Sequence, residues 1–245
     1  MKQNKYDEPA FFAEYEKMPR SVHGLKAAGE WHVFKTLLPE LRGKKVLDLG
    51  CGFGWHCRYA REQQADQVVG VDISEKMLRK AREWTDDPAI TYINSPIEDL
   101  DVPGGGFDVV ISSLALHYIE SFAAVCHKVS HCLAANGAFV FSVEHPIFTS
   151  RGEQDWHYDE SGWPLHWPVD DYQAEGRRET SFLTDGVIKY HRTFSTYLND
   201  LIAAGFRIKA VKEPGPSEEM LRNVPGMQDE LRRPMFLLIS AEKGI

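Results

Sequence analysis

A chain of 245 residues with 43% hydrophobic and 26% charged side chains can bury a substantial core, and its composition excludes a disordered, collagenous or coiled-coil protein. Its net charge of −8 offers no broad attraction to a polyphosphate, which argues against a nucleic-acid partner. The first nine residues are polar, no stretch nears the roughly 18 apolar residues of a membrane span, and Cys51, Cys57, Cys126 and Cys132 are too scattered for a disulfide framework. A cytoplasmic protein with reduced thiols and no membrane partner is expected; the oligomeric state stays open.

Residues 1–40 carry a helical pattern, with Ala27, Trp31, Phe34 and Leu38 on one face and Pro39 closing it, and are expected to form an N-terminal helical lid. Short apolar strands follow at 44–49, 67–71, 90–93, 107–111 and 138–143, most of them separated by helical segments. Parallel neighbours can be joined only by crossovers, so this alternation predicts an α/β fold: a Rossmann-like, doubly wound sheet covered by helices on both faces. Ser74 is placed to N-cap the helix carrying Met77, Leu78 and Ala81, and Gly205 to end the helix carrying Phe194, Tyr197, Leu198, Leu201 and Ile202.

The core is expected over 41–144 and 193–245, interrupted after the fifth strand by a cap at 145–192, which is too long for a simple loop. Within the cap, β-prone runs at 179–183 and 187–191 flank Thr184-Asp185-Gly186, a tight-hairpin signal. Strands at 207–211 and 235–240 complete the chain.

The run Val46-Leu47-Asp48-Leu49-Gly50-Cys51-Gly52-Phe53-Gly54 sets three glycines where the first strand turns into a helix. Glycine there lets the backbone approach a ligand, and the free N–H groups of a helix N-terminus attract an anion. A dinucleotide fingerprint would need glycine or alanine three residues after Gly52, where Trp55 stands, which weakens a nicotinamide oxidoreductase reading. Asp72, 22 residues after Gly50 and at the end of the second strand, suits two ribose hydroxyls.

VLDLGCGFG, VVGVDIS, INSPIEDL and FDVVISSLALHYI, in this order, resemble the class I S-adenosylmethionine-dependent methyltransferases, particularly the small-molecule branch that includes the ubiquinone and menaquinone enzymes. The resemblance covers roughly residues 41–143 and, more loosely, the C-terminal helix and strand pair. It implies a seven-stranded sheet with its last strand antiparallel and the cofactor S-adenosylmethionine, leaving S-adenosylhomocysteine as product. By position it implies that Gly50, Gly52 and Gly54 line the methionine part, that Asp48 organises the turn and that Asp72 holds the ribose. Ile73 and Met77 would pack on adenine, with Ile97 in the third motif. Many relatives carry Asp where this chain has Pro96, so Glu98 is the replacement candidate for the adenine amino group. Ser113 and Leu114 match positions beneath the sulfonium, while Tyr15 and Arg20 could close over the methionine carboxylate.

His117 follows the fourth strand and His145 the fifth, both at the carboxyl edge where open α/β sheets bind ligands. They are the candidate bases if the acceptor is a phenol, enol or protonated amine, His117 first. Glu144 is a candidate orienting carboxylate or substrate ligand, and His191, Trp156, Trp163 and Trp167, beside Tyr172, are candidate acceptor contacts of the cap. Cys126 and Cys132 share an apolar helical face while His127 and His131 point the other way, so no metal centre is expected. The leading expectation is methyl transfer to oxygen, nitrogen or carbon of a small organic acceptor. The alternatives are an RNA or protein methyltransferase and a non-catalytic cofactor-binding module.

Overall fold

The structure, a computed structural model, describes residues 2–244. The N-terminal region forms short helices α1 (Pro9–Tyr15), α2 (Pro19–His23) and α3 (Trp31–Leu37). The helix expected across 27–38 is shorter than its pattern, because Ala28 is extended and residues 24–27 form a separate 3-10 turn.

The core then alternates: β1 (Lys45–Leu49), α4 (Trp55–Glu62), β2 (Gln67–Asp72), α5 (Glu75–Glu83), β3 (Ile90–Asn94), β4 (Phe107–Ser113), α6 (Phe122–Cys132) and β5 (Leu133–Glu144). The Ser74 hydroxyl accepts the Met77 amide at 3.1 Å, capping α5 as its sequence context predicts. β5 starts earlier than expected, because Leu133 leaves α6 already paired with Phe107 before a register irregularity.

The intervening region holds α7 (Pro146–Thr149), the small ladder of β6 (His157–Tyr158) with β7 (Pro164–His166), and the hairpin of β8 (Gly176–Phe182) with β9 (Thr184–His191). The hairpin reverses at Leu183, whose φ is +61°, rather than at Asp185-Gly186; Phe182 pairs with Thr184, and the Asp-Gly pair lies inside β9. α8 (Phe194–Ala203), ended by Gly205 at φ +86°, leads to β10 (Phe206–Lys212), α9 (Glu218–Asn223) and β11 (Phe236–Lys243).

The seven core strands run in the order β10-β11-β5-β4-β1-β2-β3, and β11 lies antiparallel to both its neighbours, as expected. Alternate strand residues face opposite layers. Leu47, Leu49 and Val110 pack with Phe122, Val125, Tyr197 and Leu201 of α6 and α8, while Val46, Val109 and Ile111 pack with Phe34, Cys57, Ala60 and Leu78 of α3, α4 and α5. Burial on both faces explains why these strands read as continuous apolar runs. Cys126 and Cys132 sit in the first of these layers. Among the described residues no helix is long and apolar enough to cross a membrane.

Candidate functional site

A cavity of about 930 Å³ opens over the carboxyl ends of the strands and is bounded by all three N-terminal helices' connections, the β8–β9 hairpin and the segment before β11. At its base β1 breaks into the glycine turn. Gly50 (φ +76°) and Gly52 (φ +53°) line the cavity, and a side chain on Gly50 would collide with Ala115. Gly54 also has positive φ, but it heads α4 and faces the Tyr92 hydroxyl; it does not line the cavity, so its requirement is packing rather than ligand approach. Asp48 is likewise set behind the turn, buried against Cys57 Sγ at 3.3 Å, and burial raises its carboxyl to about 7.

Asp72 ends β2 at the cavity wall. Its Oδ2 accepts the Gly52 amide at 2.8 Å and its Oδ1 the Ser74 amide at 2.9 Å, which ties the ends of β1 and β2 together and leaves lone pairs for further donors. Burial raises this carboxyl to about 6 against the lowering effect of those bonds. Beside it Ile73, Met77, Ile97 and Glu98 line one end of the cavity, with Pro96.

Tyr15, Arg20, Ser113 and Leu114 converge on the same cavity. Arg20 reaches both Ser113 Oγ and Glu30 Oε1 at 3.5 Å, and Ser113 Oγ donates to Glu30 Oε1 at 3.0 Å. Three polar atoms of lining residues here are buried with no partner: Glu30 Oε2, Ser21 Oγ and Trp55 Nε1. A buried acceptor beside two buried donors and a guanidinium has the complementarity of an amino-acid zwitterion. Sequence reasoning did not single out Glu30 or Ser21, which carry no motif, and weighed Trp55 only for its bulk.

At the far end, His117 lines the cavity at 2% exposure. Its Nδ1 accepts the Glu144 amide at 3.4 Å, so the neutral ring carries its proton on Nε2, and burial lowers it to about 4. His117 is therefore a neutral donor and not a base with an available lone pair. His145 and His191 do not reach the cavity. His145 Nδ1 accepts the Ile147 amide at 3.0 Å and its Nε2 bonds Glu213 at 2.7 Å; His191 bonds Thr149 Oγ1 and the Tyr172 carbonyl, each at 2.9 Å. With both nitrogens occupied, His145 ties the start of the intervening region to the residues after β10, and His191 ties parts of the intervening region to one another.

Glu144 does face the cavity, within a network absent from the sequence expectation. Lys189 Nζ, on a side chain 2% exposed, donates to Glu144 Oε1 at 2.6 Å and to Gln154 Oε1 at 2.8 Å, and Gln154 Nε2 donates to Glu144 Oε2 at 2.9 Å. Burial opposes ionisation of Glu144, but the facing His117 and Lys189 hold its carboxyl below the usual range.

The three tryptophans of the intervening region do not line the cavity. Trp163 is 64% exposed, while Trp156 and Trp167 pack with Phe148 around the Arg233 guanidinium, which lies 3.9 Å from the Trp167 ring centre. Large aromatics bury area wherever they can, and here a buried arginine from the segment before β11 provides the surface.

A methyltransferase-domain family model matches residues 47–141. A protein from Listeria monocytogenes described as an S-adenosylmethionine-dependent methyltransferase is 54% identical, with 91% of this chain and all of that one covered at a TM-score of 0.86. An S-adenosylmethionine-dependent methyltransferase from Mesorhizobium loti is 45% identical over 90% of this chain and 100% of its own, at a TM-score of 0.84. An uncharacterized protein of Haemophilus influenzae is 36% identical over 97% of this chain and 96% of its own. Matches to under half of this chain reach a malonyl-[acyl-carrier protein] O-methyltransferase of Enterobacter lignolyticus (32% identity, 43% of this chain, 41% of the enzyme) and a tRNA U34 carboxymethyltransferase of Alcanivorax borkumensis (30%, 45% and 35%). The chain belongs to the class I S-adenosylmethionine-dependent methyltransferases. Its cofactor is S-adenosylmethionine, and the resemblance read from the four motifs holds.

Proposed function

We propose that this methyltransferase acts on a small organic acceptor, which occupies the cavity between the glycine turn and the Glu144–Lys189 pair. The observation that carries the reading is closure: residues of the N-terminal segment, the β8–β9 hairpin and the segment before β11 all line one cavity, which suits a molecule small enough to be surrounded. In this reading residues 1–40 are the lid, 145–192 the cap, and the rest the cofactor-binding core.

Bound S-adenosylmethionine supplies an activated methyl group on a sulfonium. The residues fit it. Gly50 and Gly52 leave room for its methionine part, Glu30, Ser21, Trp55 and Arg20 match the zwitterion, and Asp72 retains acceptor capacity for ribose hydroxyls. Ile73, Met77 and Ile97 offer apolar surface for adenine, with Glu98 beside them, while Ser113 and Leu114 border the transfer point. The protein's own contribution is alignment and exclusion of water, the main requirements of an in-line displacement.

Calorimetric titration with S-adenosylhomocysteine tests the assignment. Glu30→Gln and Asp72→Ala are each expected to weaken binding at least tenfold with the melting transition retained; unchanged affinity in both removes it. A tRNA acceptor is tested by salt: binding of bulk tRNA that falls steeply from 50 to 200 mM salt would replace the small-molecule reading.

A further inference from the structure

Among the described residues, the buried groups at the acceptor end of the cavity are hydrogen-bond donors with no free base; Glu120, which also lines the cavity, is exposed to solvent. Methyl transfer to an amine, phenol or enol must shed a proton, so a site for such acceptors needs a group to receive it. The His117 lone pair is occupied by the Glu144 amide, and His145 and His191 have both nitrogens bonded away from the cavity. Glu144 is held by Lys189 and Gln154. Tyr6, Tyr15 and Tyr118 are buried phenols pushed above their usual range, and so stay protonated.

Two donors remain. An ammonium has three protons, and the Lys189 bonds to Glu144 and Gln154 use two of them. His117 Nε2 has no hydrogen-bond partner among the described residues, and both side chains line the cavity. The charged groups facing His117 are Glu144 from β5, Lys189 from β9, Arg192 just beyond β9 and Arg20 from α2, three cations against one anion. Arg192 bonds the Ile119, Glu120 and Tyr190 carbonyls, and among the described residues no carboxylate is in direct contact with it.

We infer that the acceptor is a carboxylate that arrives already ionised, gripped by the third proton of Lys189 and by His117 Nε2–H, and methylated without a general base. This rests on the cavity being the acceptor site proposed above. In the step, a carboxylate lone pair forms the new O–CH3 bond as the S–CH3 bond breaks and its electron pair passes to sulfur. A neutral ester and a neutral thioether result, and no proton moves. Anion and sulfonium cancel each other's charge in this step, so a dry enclosed chamber favours it more than water does. Lys189 and His117 act as a positioning pair for the carboxylate.

The test is calorimetry on the full chain loaded with S-adenosylhomocysteine, titrated with 4-phenylbutyrate and the matched 4-phenylbutylamine at pH 7.5. The acid is expected to bind at least tenfold more tightly than the amine. Lys189→Met should erase that preference, as should Lys189→Met combined with Glu144→Gln, which leaves no orphaned carboxylate to disturb folding. His117→Gln, which keeps a donor, should retain most of the preference, and His117→Ala should lose it. An amine that binds as well as the acid, no binding of either, or a preference that survives both Lys189 variants overturns the inference. A chain that binds no S-adenosylhomocysteine overturns this inference and the cofactor-site assignment together.

Discussion

The Asp7 carboxylate, from a segment that precedes the first helix, sits over the start of α5: its Oδ1 accepts the Ser74 hydroxyl at 2.6 Å and the Lys76 amide at 3.1 Å. Asn4 reinforces it by donating to the Ile73 carbonyl, and Gln3 pairs with Gly186 and Ile188 across the hairpin. Residues 3–7 therefore form a strap from the end of β2 to the cap, stabilised at Asp7 by the unpaired amides of a helix N-terminus.

Asp7→Ala is expected to free that strap. Hydrogen exchange should rise by an order of magnitude or more in residues 3–8 without rising in β1 or β4, and S-adenosylhomocysteine should dissociate faster. Burial works against the Asp7 charge, but the bonds from Ser74, Lys76 and Asn4 bring its carboxyl below the usual value. The anchoring is thus complete above about pH 4 and lost as pH falls further, and a strap equally protected in the variant would contradict it.

Asp48→Asn should stabilise the protein at high pH. In the fold this carboxyl titrates at about 7, against 3.8 for an ordinary aspartate, because it is buried with Oδ1 unpartnered. The folded chain holds an extra proton between those values, so the charge destabilises it fully above pH 7 and not at all below pH 4. The substitution should gain up to about 4 kcal/mol at pH 8 and nothing at pH 4. Equal melting shifts at both pH values would show the carboxyl ionised without cost.

Buried His56 and His117 should act in the opposite direction. Burial sets them at about 3 and about 4, against 6.5 when free. Stability from keeping them neutral is complete above pH 6.5 and declines as pH drops toward 4, since the unfolded chain takes up protons first. Their ring-proton NMR shifts should stay flat from pH 8 to 5; a midpoint near 6.5 for His117 would show that its ring is not held neutral.

Arg233→Ala should unfasten the cap from the segment before β11. The guanidinium lies between Trp167 and Phe148, at 3.9 and 4.8 Å, and forms a double bond set with Glu230 at 2.9 and 3.1 Å. Loss of about 2–4 kcal/mol and new proteolytic cuts within 150–175 are expected, with little rescue by Lys, which lacks the planar fork. A melting temperature within 1 °C or so of wild type would remove the latch.

The parts of the site that were legible in the sequence are those in which one residue type answers one local requirement. Gly50 and Gly52 take positive φ at the cavity wall, and Asp72 ends a strand, so spacing alone locates them. The strands were legible because burial on both faces leaves few polar interruptions. The network of Lys189, Gln154 and Glu144 joins residues 35 and 45 apart, and nothing local marks a lysine that will be buried. The tryptophans misled because an aromatic run records that area will be covered without recording by what; here it is Arg233, well over sixty residues downstream. His145 misled because its position at the sheet edge is right while its ring is turned to Glu213.

Every methionine among the described residues, Met18, Met77, Met220, Met227 and Met235, borders the cavity. Thioether chains are unbranched and polarisable, and re-mould around different shapes at little cost. If the acceptor lies in this cavity as proposed, these side chains give way to different outlines, and selectivity is expected to fall to the rigid polar groups around it.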